Sequence, residues 1–378
     1  MRIAIIGGSG NIGQEVALGL IKAEVVTGIV LVDIHDDPGA LRDRLRKNAK
    51  VSQLRLDARD PAALESALNG TRLLINCAGP FLTTVIPSAR AAVALGADYI
   101  DVCDEFAATA LLLESDLDAA ARKTGVRLIT GMGSDPGTNN LLALWYANKL
   151  TTVESISLAW AVDCADLTGA ALTHAATMLT GRVPQFLDGR LQYPEGGDGE
   201  ETVVFAEPIG PVAVRYVGHP QPLTLPRRLP GLQRLTIKGA ILPDWADRLL
   251  MEQQSSGIPR CEPAAPDVSL LMEQASAMPV GPGVSGLNVT VSGTLLGRAV
   301  TYTADMVGAM GPGTGLPAAI AALMLLDDSV TAKGLLAPED AIDPERFVQE
   351  LLASGARIRQ TRSETATLAA VGCQGDSL

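Results

Sequence analysis

The chain has 378 residues, of which 47% are hydrophobic and 19% charged, enough for a large buried core and for two domains. The formal net charge of −12 argues against nucleic-acid and anionic-membrane partners, which need a basic face. Five widely spaced cysteines (77, 103, 164, 261 and 373) contain no CxxC pair, and three histidines (35, 174 and 219) have no metal-ligand spacing. A disulfide framework and a metal site are therefore not expected, and a reducing, cytoplasmic setting is. The N-terminus carries no signal-peptide pattern, and the longest apolar stretch, Leu316–Leu326, is too short to span a bilayer.

The first 130 residues alternate strand and helix. Strands are expected at Arg2–Ile6, Ile29–Val32, Val51–Leu56, Arg72–Cys77, Tyr99–Val102 and Val126–Thr130. Helices are expected at Asn11–Ala23, after Asp60-Pro61, around Ala89–Leu95 and over Ala107–Lys123. Asp60 suits a cap, Pro61 the first helical position and Gly70 the exit. Six strands separated by helices predict a Rossmann-type, doubly wound parallel sheet in an α/β protein.

Beyond Gly131 the pattern changes. One helix is expected over Asp135–Leu150, an antiparallel-type strand at Ser155–Val162 and a helix at Ala170–Thr180. Strand-like pieces follow at Thr202–Ala206, Val212–Val217, Gln233–Ile237 and Leu287–Leu295, which predicts an α+β domain with an antiparallel sheet. Two helices, Gly315–Leu326 and Pro344–Ser354, come near the end, and the tail after Thr361 is expected to fray.

The strongest motif is Gly8-Ser9-Gly10-Asn11-Ile12-Gly13, a GxGxxG between a strand and a helix. The glycines permit the tight turn, the approach of a pyrophosphate and close helix–strand packing. Asp33 ends the next strand, where a carboxylate binds the ribose hydroxyls of the adenosine. It repels a 2′-phosphate, and residues 34–37 supply no cation, so NAD is expected over NADP. Arg42, Arg44 and Arg46 are read as a solvated helix face. Asp57, just past the third strand, and Ala78-Gly79-Pro80, past the fourth, complete the cofactor candidates.

Ligands of such sheets lie beyond the carboxyl ends of the strands. The loop after strand five offers Asp101, Cys103, Asp104 and Glu105, and the loop after strand six reaches Asn139 at a helix N-terminus. Asp104 or Glu105 serves either the substrate or the cap of the helix from Phe106. Asp135 reads as a helix cap, Cys103 as a small buried residue and His174 as a satisfied core residue.

These loops carry a resemblance. GGSGNIG at 7–13, NCAGPF at 76–81, DYIDVCDE at 98–105, GMGSDPGTNN at 131–140, TGLPAAIAALML at 314–325 and APEDAID at 337–343 resemble the saccharopine dehydrogenase-like family. The resemblance implies an NAD(P)-dependent oxidoreductase acting on a C–N bond of an amino acid or its secondary-amine adduct. It also implies a second domain inserted into the first, with residues 1–135 and 308–365 binding the dinucleotide and 136–307 binding substrate and forming a homodimer. Proton transfer then needs a group near neutral pKa, and His219 is the first candidate, Asp104 the second. A substrate carboxylate needs a cation, and Arg215 and Arg227 flank His219. An enoyl (C=C) reductase and a non-catalytic NAD-binding redox sensor are the alternative readings.

Overall fold

The computed structural model describes residues 1–35, 41–166, 174–175, 177–255, 281 and 283–365. The chain opens with β1 (Arg2–Ile6), α1 (Asn11–Leu20), β2 (Gly28–Asp33), α2 (Asp43–Arg46), β3 (Val51–Arg55), α3 (Pro61–Ala67) and β4 (Leu73–Asn76). Next come α4 (Phe81–Leu95), β5 (Asp98–Asp101), α5 (Phe106–Glu114), α6 (Leu117–Thr124) and β6 (Arg127–Ile129). Ile3, Ile5, Leu31, Leu74, Ile75 and Ile100 are fully or almost fully buried, because a parallel strand covered by helices on both faces must be apolar throughout.

These strands form a parallel sheet in the order β3-β2-β1-β4-β5-β6. The strand order reverses between β1 and β4, which opens a crevice beyond their carboxyl ends. Asp60 caps α3 by accepting the backbone N–H of Ala63, as expected. The helix expected over Ala107–Lys123 is interrupted at Ser115–Asp116, where Ser115 is extended and turns its hydroxyl back onto the carbonyl of Leu112.

A wide helical turn, Ser134–Thr138, leads into α7 (Asn139–Ala147). The single helix expected from Asp135 is not continuous: Asp135 itself is extended (φ −138°, ψ 118°), the wide turn follows it, and α7 begins only at Asn139.

The second sheet is built from β7 (Thr152–Asp163), β8 (Gln185–Leu187), β9 (Arg190–Gln192), β10 (Glu201–Val204), β11 (Pro211–Tyr216) and β12 (Arg234–Leu242), joined later by β13 (Ser285–Leu295) and β14 (Arg298–Gly308). Between β11 and β12 lies α8 (Gln221–Thr224), and α9 (Asp244–Ser255) follows β12. The sheet is mixed. β7 runs antiparallel to β13 but parallel to β12. Of the expected helix at 170–180, His174, Ala175, Thr177 and Met178 are helical, and 170–173 and 176 lie outside the described residues.

The chain then returns to the first sheet. Helix α10 (Met310–Leu326) packs on α1 through small residues: a Cβ on Gly19 would lie 2.6 Å from that of Ala319, and one on Gly315 2.5 Å from that of Glu15. β15 (Gly334–Leu336) adds a seventh strand beside β6. Helices α11 (Pro338–Ala341) and α12 (Pro344–Ala353) follow, and β16 (Arg359–Thr365) pairs with β14 on the second sheet. The tail expected to fray after Thr361 is thus ordered strand as far as Thr365. No helix among the described residues is long and apolar enough to cross a membrane.

Candidate active site

Two groups of residues meet at the carboxyl edge of the parallel sheet. The first is the glycine loop. A Cβ on Gly13 would lie 2.3 Å from the carbonyl oxygen of Gly7, and one on Gly8 2.8 Å from the Cα of Leu31. These contacts hold the start of α1 against β1 and β2 as a dinucleotide requires. Gly7 has φ +72°, and a Cβ there would strike the backbone of Cys77 at 2.8 Å, so the loop also abuts the β4 exit.

Gly10 caps α1 without a side chain, and no acid stands in the first turn. Its free N–H groups therefore face outward with the positive end of the helix. The Ser9 hydroxyl is buried without a partner among the described residues. The Asp33 carboxylate accepts the N–H groups of Ser9 at 3.2 Å and His35 at 3.3 Å, with lone pairs left for a ribose. This arrangement fits a nicotinamide dinucleotide.

Of the three arginines read as one solvated face, Arg46 pairs with Asp43, but Arg42 reaches back onto α1. It bonds Glu15 at 2.5 Å and the Asn11 Oδ1 at 2.9 Å. Ile12 packs partly buried against the core. Asp57 is held by Arg59, whose hydrogen bonds lower the Asp57 pKa to about 2. Ala78 is fixed by its N–H to the Asn76 side chain at 2.9 Å, while Gly79 and Pro80 are exposed beside the β4 exit.

The second group lies beyond β5 and β6. Asp101 is fully buried and accepts from the Gly131 N–H (2.7 Å), the Cys103 N–H (3.0 Å) and the Thr130 hydroxyl (3.0 Å). It braces the two strand exits. Burial raises its pKa to about 6, and those N–H bonds oppose the rise. Cys103 is buried as expected, and burial pushes its thiol well above the ordinary range.

Neither acid that follows caps the helix from Phe106. Glu105 caps α4 instead, accepting the N–H groups of Phe81 and Leu82 at 2.8 Å each. Asp104 bonds the Nε2 of His174 at 2.7 Å, and Glu105 lies 3.7 Å from its Nδ1. Burial pulls the imidazole pKa down, but the charge and hydrogen bond of Asp104 outweigh it and raise His174 to about 9. Burial works against ionisation of Asp104, yet His174 holds its pKa below the ordinary value. His174 is thus paired with two carboxylates rather than sunk in an apolar core.

Asp135 is not a cap either. Its Oδ1 accepts from the side-chain amides of Asn139 (3.0 Å) and Gln221. Its Oδ2 lies 3.3 Å from the Nδ1 of His219. Burial raises Asp135 to about 7, with the amide bonds opposing and the Asp104 charge adding.

His219 arrives on the turn after β11. Gly218 presses this turn onto Phe106 (a Cβ would sit 2.9 Å from its ring) and donates its N–H to the Met178 carbonyl at 2.8 Å. The indole N–H of Trp160 donates to His219 Nε2 at 3.1 Å. An indole only donates, so Nε2 is unprotonated and the proton of neutral His219 sits on Nδ1, toward Asp135. Burial lowers His219 to about 4, opposed by the Asp104 charge and aided by His174.

The predicted arginines do not join this group. Arg215 bonds Glu200 at 2.6 Å and Asp247, and Arg227 is exposed. His174, Asp135, Trp160 and Gln221 were missed as site residues. None of the four carried a local signal: an Asp before Pro reads as a helix cap, as Asp60 is, and the partners of Asp135 are distant in sequence.

The sheet order, the glycine loop and the acid at the end of β2 define an NAD(P)-binding Rossmann domain carrying an inserted second domain. Residues 3–130 match the family model described as the saccharopine dehydrogenase NADP binding domain. Three solved structures are similar to the chain. An amine dehydrogenase from Mycobacterium smegmatis has 13% identity over 90% of this chain and 96% of its own, with a TM-score of 0.47. The DAP dehydrogenase of C. glutamicum in complex with DAP has 15% identity over 93% and 98%, with a TM-score of 0.45. An engineered D-amino acid dehydrogenase bound to NADP+ has 14% identity over 93% and 98%, with a TM-score of 0.46.

Proposed function

We propose that the protein is a nicotinamide-dependent oxidoreductase that transfers hydride to or from the carbon of a C–N bond, in an amino acid or a secondary-amine adduct of one. The observation that carries this reading is the placement of two acid–histidine pairs, the half-buried Asp104–His174 and the buried Asp135–His219, beyond β5 and β6 on the same sheet edge as the glycine loop and Asp33. A hydride transfer at such a bond needs a bound dinucleotide and groups that move one proton, and little else.

The cofactor, when bound, accepts or supplies the hydride. Gly8, Ser9, Gly10 and the α1 N-terminus hold its diphosphate, Asp33 holds the ribose, and Ala78, Gly79 and Pro80 border its nicotinamide end. Asp33 favours NAD over NADP by repelling a 2′-phosphate. The substrate sits against residues 136–307, which also form a homodimer; residues 1–135 and 308–365 bind the dinucleotide.

His174 stays protonated at neutral pH because Asp104 stabilises the imidazolium, so this pair donates the proton to an imine nitrogen. Asp135, with a pKa of about 7, exchanges a proton readily at neutral pH. His219 cannot easily take a second proton while Trp160 donates to its Nε2, so Asp135 and not His219 is the proton-exchanging member of that pair.

The test is nicotinamide absorbance with NAD and lysine, ornithine, saccharopine, carboxynorspermidine and shorter diamino acids. Reduction of NAD by one of them is the expected result. Silence across the panel, with NADH binding established, overturns the C–N reading.

A further inference from the structure

The Asp135 side of the site has a surplus of buried acceptors. Asp135 Oδ2, Asn139 Oδ1, Asn140 Oδ1 and Gln221 Oε1 have no hydrogen-bond partner among the described residues. The four residues are 7%, 0%, 0% and 0% exposed. They are linked through the chain and through Asp135: Asn139 and Gln221 both donate to its Oδ1, and Asn140 follows Asn139 and donates to Glu339 at 2.8 Å.

The one unpaired donor beside them, His219 Nδ1, lies 3.3 Å from Asp135 Oδ2 without hydrogen-bond alignment. An unsatisfied buried polar group is costly, so four unpaired acceptors on residues joined through the chain and through Asp135 call for a donor. The amide nitrogens of Asn139, Asn140 and Gln221 are already spent on carboxylates, which fixes their oxygens as acceptors. Neither predicted arginine reaches the group.

We propose that this cluster binds a protonated primary amine of the substrate, through Asp135, Asn139, Asn140 and Gln221. An ammonium group supplies three N–H donors, no acceptor and the charge that a carboxylate lacks. The inference rests on the oxidoreductase reading for the identity of the ligand as substrate. It departs from it in recognising the substrate by its amine and not by a carboxylate held on arginine.

The test is calorimetric binding to the full chain, with and without NADH. The ligands are 1,3-diaminopropane, 1,4-diaminobutane and 1,5-diaminopentane, with matched alkyl diols and dicarboxylates as controls. At least one diamine is expected to bind at least about tenfold tighter than its diol and dicarboxylate, and Asp135→Asn to remove at least about tenfold of that affinity. Gln221→Ala provides a second, neutral perturbation should the Asn variant melt early, and it is expected to weaken the same ligand.

Equal binding of diol and diamine shows a water-filled structural network and overturns the proposal. Preference for the dicarboxylate overturns it, and so does diamine binding that neither variant changes. Failure of NADH to bind overturns the oxidoreductase reading instead, and the cofactor-free titration separates the two failures.

Discussion

Replacing Asp104 by Asn tests the charge state on which the proton-donor assignment rests. The carboxylate sits 2.7 Å from His174 Nε2, and that imidazole is less than a third exposed, with a side-chain exposure of 29%. Folding raises His174 from its ordinary 6.5 to about 9. That difference corresponds to about 3 kcal/mol.

A raised histidine contributes stability that is fully present below 6.5 and is lost as pH rises through about 9. Wild-type protein is therefore expected to lose about 3 kcal/mol from this group between about pH 6 and pH 10, and Asp104→Asn to lose little from it. The neutral Asn cannot hold the imidazolium as the carboxylate does, so burial pulls His174 back toward its ordinary value, and the charge of Glu105, 3.7 Å from Nδ1, opposes this only in part. Proton NMR of the imidazole resonances follows the titration directly, and urea unfolding at the two pH values follows the energy. The reasoning is refuted if His174 still titrates near 9 in the variant, or if the variant is destabilised equally at both pH values.

Gly13→Ala forces a Cβ to within 2.3 Å of the Gly7 carbonyl oxygen, a backbone atom that cannot step aside. A loss of about 1–3 kcal/mol in thermal unfolding and of most NADH binding is expected, read by melting and by NADH fluorescence. Glu105→Ala removes two charge-assisted bonds from the α4 N-terminus and should cost about 1–3 kcal/mol in urea unfolding; an unchanged midpoint would show that solvent serves those N–H groups as well. Asp33→Ser should shift the ratio of NADPH to NADH affinity toward NADPH by at least about tenfold, since one like-charge repulsion and one ribose contact are removed together. Titrating both cofactors into both proteins checks it, and an unmoved ratio assigns the discrimination elsewhere.

The parallel sheet was legible because its central strands β1, β2 and β4 are almost wholly apolar and its turns carry glycine or proline where the backbone requires them. Asp60, Pro61 and the GxGxxG did what their types dictate locally. The second sheet was harder. Its outer strand β16, RQTRSET, is exposed along its whole length and carries no alternation to read. β14 was missed for a similar reason, since much of it is only partly buried.

The site divides along the same line. Asp33 and the glycines act on their own segment, and their positions in the sequence reveal them. His174 meets Asp104 across 70 positions, and Gln221 meets Asp135 across 86. No local pattern encodes such pairings. The acids were visible as candidates, but which helix Glu105 would cap depended on α4 beginning beside it.

The return of the chain to the first sheet bears on the order of synthesis. Residues 3–130 form a recognisable sequence unit, yet the face of α1 is covered by α10 and the edge of β6 by β15, both more than 170 residues later. A ribosome adding about 5–20 residues per second needs about 10–40 s to travel from Thr130 to Leu336. During that interval the nascent nucleotide-binding half has an open β6 edge and an uncovered α1, each able to pair with the wrong neighbour. The glycines at 19, 311 and 315, which let α10 settle so closely on α1, therefore end the period in which the newly made half presents that uncovered surface.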